Sequence, residues 1–266
     1  TTLDGTPLRR LDNGYFVEDQ TVKEQFPAIA SARRNAAIRP RANAATFPLQ
    51  GSPKSLVLLA GFKDLPFAQK NEDFNALLNE SGYAYNNATG SCRDYFIAAS
   101  DSIFQPQFDV YGPFTLSENM EYYGKEEGDN HDRNPYQMVI EACHLAADSG
   151  VDFDEYDTDN DGVLDNVFIY YAGYNQAEGA SSNTIWPHKS NVSWKDVRVD
   201  GKLLATYACT SEYSGNGGTR RASIGTFCHE FGHVLGLPDL YDTDYKYYTV
   251  SNWSIMCSGN YNNNGR

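Results

Sequence analysis

Two histidines four residues apart, with a glutamate beside the first, can hold a divalent metal and work on a water molecule next to it. His229-Glu230-Phe231-Gly232-His233 has that composition and spacing. On a helix, His229 and His233 lie on one face, one turn apart. Both imidazoles then reach a single tetrahedral Zn²⁺ at roughly 2.0–2.1 Å. Glu230, next to the first ligand, can reach the metal's open position and accept a proton from water there. Gly236 and Pro238 should stop the helix, because glycine permits a left-handed reversal and proline cannot continue the hydrogen-bond ladder. That reversal would return Asp239 to the metal as third ligand, with Asp242 in reserve if the turn runs one register longer.

The flanking residues fit this reading. Ser223 stands where an N-cap is needed, and Ile224, Phe227, Phe231 and Val234 recur at helical spacing as a buried face. Trp253-Ser254-Ile255-Met256-Cys257-Ser258-Gly259 follows soon after. The zinc motif together with a Ser-Ile-Met turn resembles the metzincin metalloproteases, in which a methionine floors the zinc site. An aspartate in place of the usual third histidine departs from most of that clan. The wording Gly236-Leu-Pro-Asp-Leu-Tyr-Asp242 is similar to the immune inhibitor A-like secreted bacterial peptidases. The resemblance implies a secreted zinc metalloendopeptidase acting on protein or peptide substrates. Glu230 is then the general base and Met256 the floor residue. It also implies a zymogen with an N-terminal pro-region, cut by an activating protease.

The whole chain sets limits on other readings. Its 266 residues and 29.7 kDa suit one large domain, or one domain plus an appendage. A net charge of −14 argues against nucleic acid, whose phosphates need a basic surface. No apolar stretch approaches the 18 or so residues of a membrane span, and Thr1 opens without the charged and apolar regions of a signal peptide. Cys92, Cys143, Cys209, Cys228 and Cys257 are scattered and odd in number, with no Cys-x-x-Cys. That argues against a structural zinc finger and leaves one or two disulfides beside buried thiols as alternatives.

The elements that must position the motif can be read in outline. Residues 1–45 read as an N-terminal extension or pro-region tail: a small hairpin over Leu3–Val17, then an alanine-rich linker carrying Arg33, Arg34, Arg39 and Arg41. Residues 46–266 read as the catalytic domain. Lys54–Gly61 and Asn166–Ala172 are apolar runs expected as buried strands, and Phe108–Thr115 a strand broken at Gly112-Pro113. Asp73–Leu78, Cys92–Phe104 and Pro135–Ala147 are expected helices, the second with Tyr95, Phe96, Ala99 and Ile103 on one face and the third with Met138, Ile140, Cys143 and Ala146 inward. Lys202–Thr210 is expected as an edge strand, against which an extended substrate would pair. The sum is an α/β (α+β) domain: a mixed, twisted sheet backed by helices, with a zinc-binding helix and a methionine turn. Family members usually continue past this point, so truncation after Arg266 is one reading of the C-terminus.

A second motif lies in Asp157-Thr-Asp159-Asn-Asp161-Gly162-Val163-Leu-Asp165. Oxygen ligands at alternate positions with glycine sixth match the start of a calcium loop. The twelfth position is Phe168 instead of glutamate, so a full EF-hand is not expected, and the alternative is a solvated acidic turn. His188, His131 and His144 read as structural, and Tyr241 and Tyr261 lie near the site in sequence without an assigned role. Two rivals remain. A thermolysin-like site would need a glutamate on a later helix, for which little chain follows. A non-catalytic, metal-stabilised binding or adhesion protein would have no need of Glu230.

Overall fold

A computed structural model describes residues 47–127, 132–242, 247 and 249–265, with the backbone alone of 8–10 and 16–18. The chain divides into two compact units, Thr1–Ala44 and Ala45–Arg266. In the first, strands β1 (Leu8–Arg10) and β2 (Phe16–Glu18) pair antiparallel, with Leu8 opposite Glu18 and Arg10 opposite Phe16. The hairpin therefore spans a later window than Leu3–Val17. The arginines at 33, 34, 39 and 41 lie outside the described residues.

The second unit is built on five strands: β3 (Lys54–Gly61), β4 (Gln107–Thr115), β5 (Val167–Tyr171), β6 (His188–Asn191) and β9 (Thr206–Ser211), in spatial order β4-β3-β5-β9-β6. The first four are mutually parallel and β6 runs antiparallel to β9, so the sheet is mixed. Strands β7 (Arg198–Val199) and β8 (Lys202–Leu203) form a separate two-stranded ribbon. Parallel strands need both faces covered, which is why β3 and β5 are unbroken apolar runs. Leu56, Leu58, Val167 and Ile169 face one core, and Val57, Leu59, Phe168 and Tyr170 face the other.

The first face is covered by α3 (Met120–Gly124) and α4 (Pro135–Asp148) through Met120, Tyr123, Met138, Val139, Ala142, Cys143 and Ala146. The second is covered by α1 (Asn71–Asn79), α2 (Cys92–Ala99) and α5 (Ile224–Val234). On α5, Phe227 and Phe231 are fully buried one turn apart, with ring centroids 5.6 Å from each other. Phe227 lies 4.3 Å from Phe168 of the sheet, and Phe231 packs 5.1 Å from Phe47 and 5.5 Å from Phe96. The zinc-motif helix is thus a core element, with Ile224 and Val234 only partly buried at its ends.

Several expectations need correction. Helix α2 stops at Ala99 instead of reaching Phe104: the Ser100 hydroxyl donates to Phe96 O and accepts from Phe104 N–H, and Asp101 and Ser102 turn with positive φ. Ile103 and Ala99 are consequently exposed. Helix α4 buries Val139 in place of Ile140, which is only partly covered. β4 continues past Gly112-Pro113 as one strand, but its register with β3 shifts there, as the expected break implies. Lys202–Thr210 is not an edge strand: it divides at Leu204-Ala205, and β9 is buried throughout between β5 and β6. The edges are β4 and β6, and the sequence of β6, His-Lys-Ser-Asn, carries no apolar signal. All five cysteines are buried free thiols.

Close backbone approaches fix the C-terminal turns against α5. Gly225 N–H donates to Gly265 O at 2.9 Å, and a Cβ on Gly225 would fall 2.0 Å from Asn260 O. A Cβ on Gly232 would fall 2.5 Å from Met256 Sδ. Alanine is ordinarily favoured over glycine inside a helix by up to about 1 kcal/mol. At Gly225 the sign should reverse, with Gly225→Ala destabilising by about 1–3 kcal/mol because the obstacle is backbone. Urea unfolding of the two proteins measures it, and a stabilised variant would show that the turn does not pack there.

Candidate metal centre and catalytic cleft

Local folding brings the motif residues together. Ser223 occupies the N-cap position of α5, but its hydroxyl donates to Asn264 O instead of capping the helix. At the other end Gly236 adopts φ +89°. Its N–H donates to His233 O, and Leu237 N–H donates to Gly232 O. These two bonds are the Schellman pattern, which needs a left-handed residue at that place. The reversal carries the chain back along the helix and places Asp239 beside both histidines.

In that arrangement Asp239 Oδ1 lies 3.3 Å from His229 Nε2 and 3.2 Å from His233 Nε2. The imidazoles stand nearly perpendicular, with centroids 4.9 Å apart. Each ring is held by its other nitrogen: His229 Nδ1 lies 2.8 Å from Ile255 O, and His233 Nδ1 lies 2.8 Å from Leu237 O. A ring nitrogen facing a carbonyl must be the N–H, so in the neutral rings both Nε2 atoms present lone pairs. Burial lowers the His229 pKa, which favours that neutral form. Asp239 Oδ1 is itself buried with no hydrogen-bond donor. Three electron-pair donors therefore converge without a proton between them, a donor set that fits a zinc-like cation.

The general-base candidate sits on the same helix. Glu230 is 5% exposed and faces the cleft. Burial, with the Asp239 charge second, pushes its pKa up to about 8. It has no hydrogen-bond partner among the described residues. The cleft has a volume of about 830 Å³ and is walled by α5, the Leu237–Tyr241 turn, Tyr261, and His188 and Lys189 of the edge strand β6. Met256 is buried beneath α5, and its O accepts from Leu240 N–H.

The remaining sequence candidates fall into place or apart. Asp242 lies outside the His229–His233–Asp239 group and accepts from Tyr247 N–H. Tyr241 and Tyr261 both line the cleft, and the Tyr261 pKa is raised, by burial first. His188 belongs to the cleft wall, with Nδ1 on Trp186 O at 2.7 Å and Nε2 on the Tyr207 hydroxyl at 2.8 Å. His144 is exposed on α4, and His131 lies outside the described residues. The carbonyls of Ile255 and Leu237, which orient the histidines, escaped sequence reasoning because every residue carries one.

In the acidic loop Asp157, Asp159 and Asp161 approach one another within 4.8 Å. Asp157 accepts from Asp161 N–H, Gly162 N–H and Lys202 Nζ, the last at 2.8 Å. Burial works to raise the Asp157 pKa, but the Lys202 and Gly162 bonds leave it lowered. Asp165 stands outside this group, its Oδ2 accepting from the Thr158 hydroxyl and N–H.

Known proteins place these features in a family. A model of the immune inhibitor A peptidase M6 catalytic domain matches residues 67–266. The pre-pro-metalloprotease PrtV of Vibrio cholerae serotype O1 (strain M66-2) is 28% identical over 249 residues, which cover 78% of this chain and 27% of that protein. Immune inhibitor A of Bacillus thuringiensis subsp. alesti is 27% identical over 253 residues, covering 77% of this chain and 36% of its own length. The chain thus spans 27–36% of the length of these relatives. With a His-Glu-x-x-His helix, a returning aspartate and a buried methionine turn in the matched region, the chain belongs to the immune inhibitor A peptidase M6 family of metallopeptidases.

Proposed function

We propose that residues 46–266 form the catalytic domain of a secreted zinc metalloendopeptidase that hydrolyses protein substrates. The observation that carries this reading is the convergence of His229 Nε2, His233 Nε2 and Asp239 Oδ1 beside a buried Glu230, with neither Asp239 Oδ1 nor Glu230 receiving a hydrogen-bond donor among the described residues. His229, His233 and Asp239 would hold a zinc ion, which would supply a Lewis acid to polarise the scissile carbonyl and to lower the pKa of water towards about 7. Glu230 takes the proton of the attacking water and hands it to the leaving amine. Ile255 O and Leu237 O keep the imidazoles turned inward, and Met256 supports the helix from below. An extended substrate pairs through its main chain with the free edge of β6, which rims the cleft. A structural metal site would have no use for a buried carboxylate left without a partner, which weighs against the binding-protein reading. Export accords with the pre-pro form named for the Vibrio relative and with the acidic composition, and no helix among the described residues is long and apolar enough to cross a membrane.

Glu230→Gln should retain zinc at wild-type stoichiometry and lose casein or peptide turnover by about two to four orders of magnitude, since the amide cannot accept the proton. Metal analysis beside the peptidase assay separates binding from chemistry. Wild-type-like turnover would remove Glu230 from the mechanism, and a chain free of zinc under zinc-replete conditions would remove the metal site.

For the acidic loop we propose a structural Ca²⁺ on Asp157, Asp159, Asp161 and the Val163 carbonyl, for which Lys202 must give up Asp157. Calcium should then raise the melting temperature, by mass action on the folded state, and Asp159→Ala should abolish the rise. A wild-type melting curve indifferent to calcium would leave Lys202 as the loop's cation.

For residues 1–45 we propose a latency role relieved by cleavage between about Arg33 and Thr46. Limited trypsin treatment should raise peptidase activity and yield a new N-terminus in that window, because exposed arginine-bearing linkers are cut first. An intact chain already at full activity would make the segment a plain extension.

A further inference from the structure

Beyond the cleft, a second pocket of about 350 Å³ lies between β6 and the start of α4. Its aromatic walls are Tyr136, Trp186, Trp194 and Tyr207, and Trp186 and His188 are shared with the cleft, so the two cavities adjoin along β6. One carboxylate lines it, Asp132, whose side chain is only 5% exposed. We propose that this pocket is a substrate subsite for a cationic side chain, arginine or lysine, with Asp132 as its counter-charge. The proposal rests on the peptidase reading for the identity of the ligand as a peptide.

The argument is one of unmet charge. Both Asp132 oxygens accept from a single backbone donor, Trp186 N–H, at 3.2 Å. His188 Nδ1 is 3.8 Å away and commits its proton to Trp186 O. The other ring nitrogen of His188 accepts from the Tyr207 hydroxyl, and burial keeps the imidazole pKa low, so His188 is a neutral wall. No lysine or arginine among the described residues pairs with Asp132. Arg133, at the rim, is engaged by Glu127 at 3.4 Å. A buried carboxylate with one donor is costly unless a cation completes it. Burial accordingly lifts the Asp132 pKa to about 7 against the Trp186 bond, the condition that a bound cation would relieve.

The walls suit the same ligand. Lys195 Nζ already lies 4.5 Å from the Tyr136 centroid and 4.4 Å from that of Trp194, so these ring faces take an ammonium. A peptide paired with the edge of β6 presents alternate side chains to the face bearing His188 and Ser190, which is the face that opens on this pocket. An apolar side chain would fill the aromatic walls but leave Asp132 as it stands.

The test is calorimetric binding of peptide pairs to the full-length Glu230→Gln chain loaded with zinc, where no cleavage intervenes. Each pair differs only in arginine or norleucine, scanned through successive positions. At one position arginine should bind about tenfold or more tighter, the scale of a charge-assisted hydrogen bond. Adding Asp132→Asn, which keeps the acceptor for Trp186 N–H, should bring that ratio to within about twofold of one. Trp194→Ala, a change at an exposed residue, should reduce the ratio by about two- to fivefold and serves should the aspartate variant fail to fold. A ratio near one at every position, or one untouched by either variant, overturns the subsite. A wild-type chain that, after limited trypsin treatment, selects arginine peptides but cleaves none retires the peptidase reading and keeps the subsite; cleavage without the preference does the reverse.

Discussion

Three lone pairs directed at one point form an arrangement that no other described side chain neutralises while the imidazoles are neutral. Two imidazole nitrogens and one carboxylate oxygen repel one another unless a cation lies between them, and an unbonded buried acceptor costs on the order of 1–3 kcal/mol or more. The rest of the domain must therefore hold these groups against that cost. Two backbone carbonyls, from Ile255 and Leu237, fix the ring tautomers. Both carbonyls belong to turns that return to the helix only because Gly236 takes a left-handed conformation and Gly232 lets Met256 approach. Backbone geometry does the orienting and the side chains supply the chemistry.

The helix that bears the site has no freedom to give way. A parallel sheet exposes nothing, so α5 is needed to cover the face formed by Val57, Leu59, Phe168 and Tyr170. Phe227 and Phe231 secure it in an aromatic cluster reaching Phe47, Phe96 and Phe108. Helical periodicity then sets His229, Glu230 and His233 on the faces turned away from that cluster, at the rim where the sheet ends in β6. Truncating a buried phenylalanine here, at about 3–5 kcal/mol, would thus damage fold and site together.

How much of this was legible depended on whether the deciding feature was a side-chain type or a backbone relation. His229, Glu230, His233, Gly236 and Met256 declare themselves by residue type and spacing, and β3 and β5 by unbroken apolar runs. β6 was hidden because an edge strand that rims a cleft buries little, and its polar residues resemble a loop. That concealment shifted the edge onto Lys202–Thr210, whose last five residues, Thr206 to Thr210, are buried in the interior strand β9. The early end of α2 turned on one hydroxyl, Ser100, competing for backbone groups. Glu212 was equally silent in the sequence, yet it is 1% exposed and pins Ala68, Gln69 and Gly173 N–H groups between two loops.

The buried acidic side chains differ in how many donors the fold gives them. Glu212 is buried but receives three backbone N–H bonds, so its charge is spent on holding loops. Asp157 receives two N–H bonds and the ammonium of Lys202. Asp132 receives one N–H group and faces a neutral ring, while Asp239 Oδ1 and Glu230 receive none among the described residues. Fewer internal donors mean that more of the group's solvation must come from what binds. The deficit increases towards the cleft, so the acids least satisfied by the fold are the ones that line it or the pocket adjoining it.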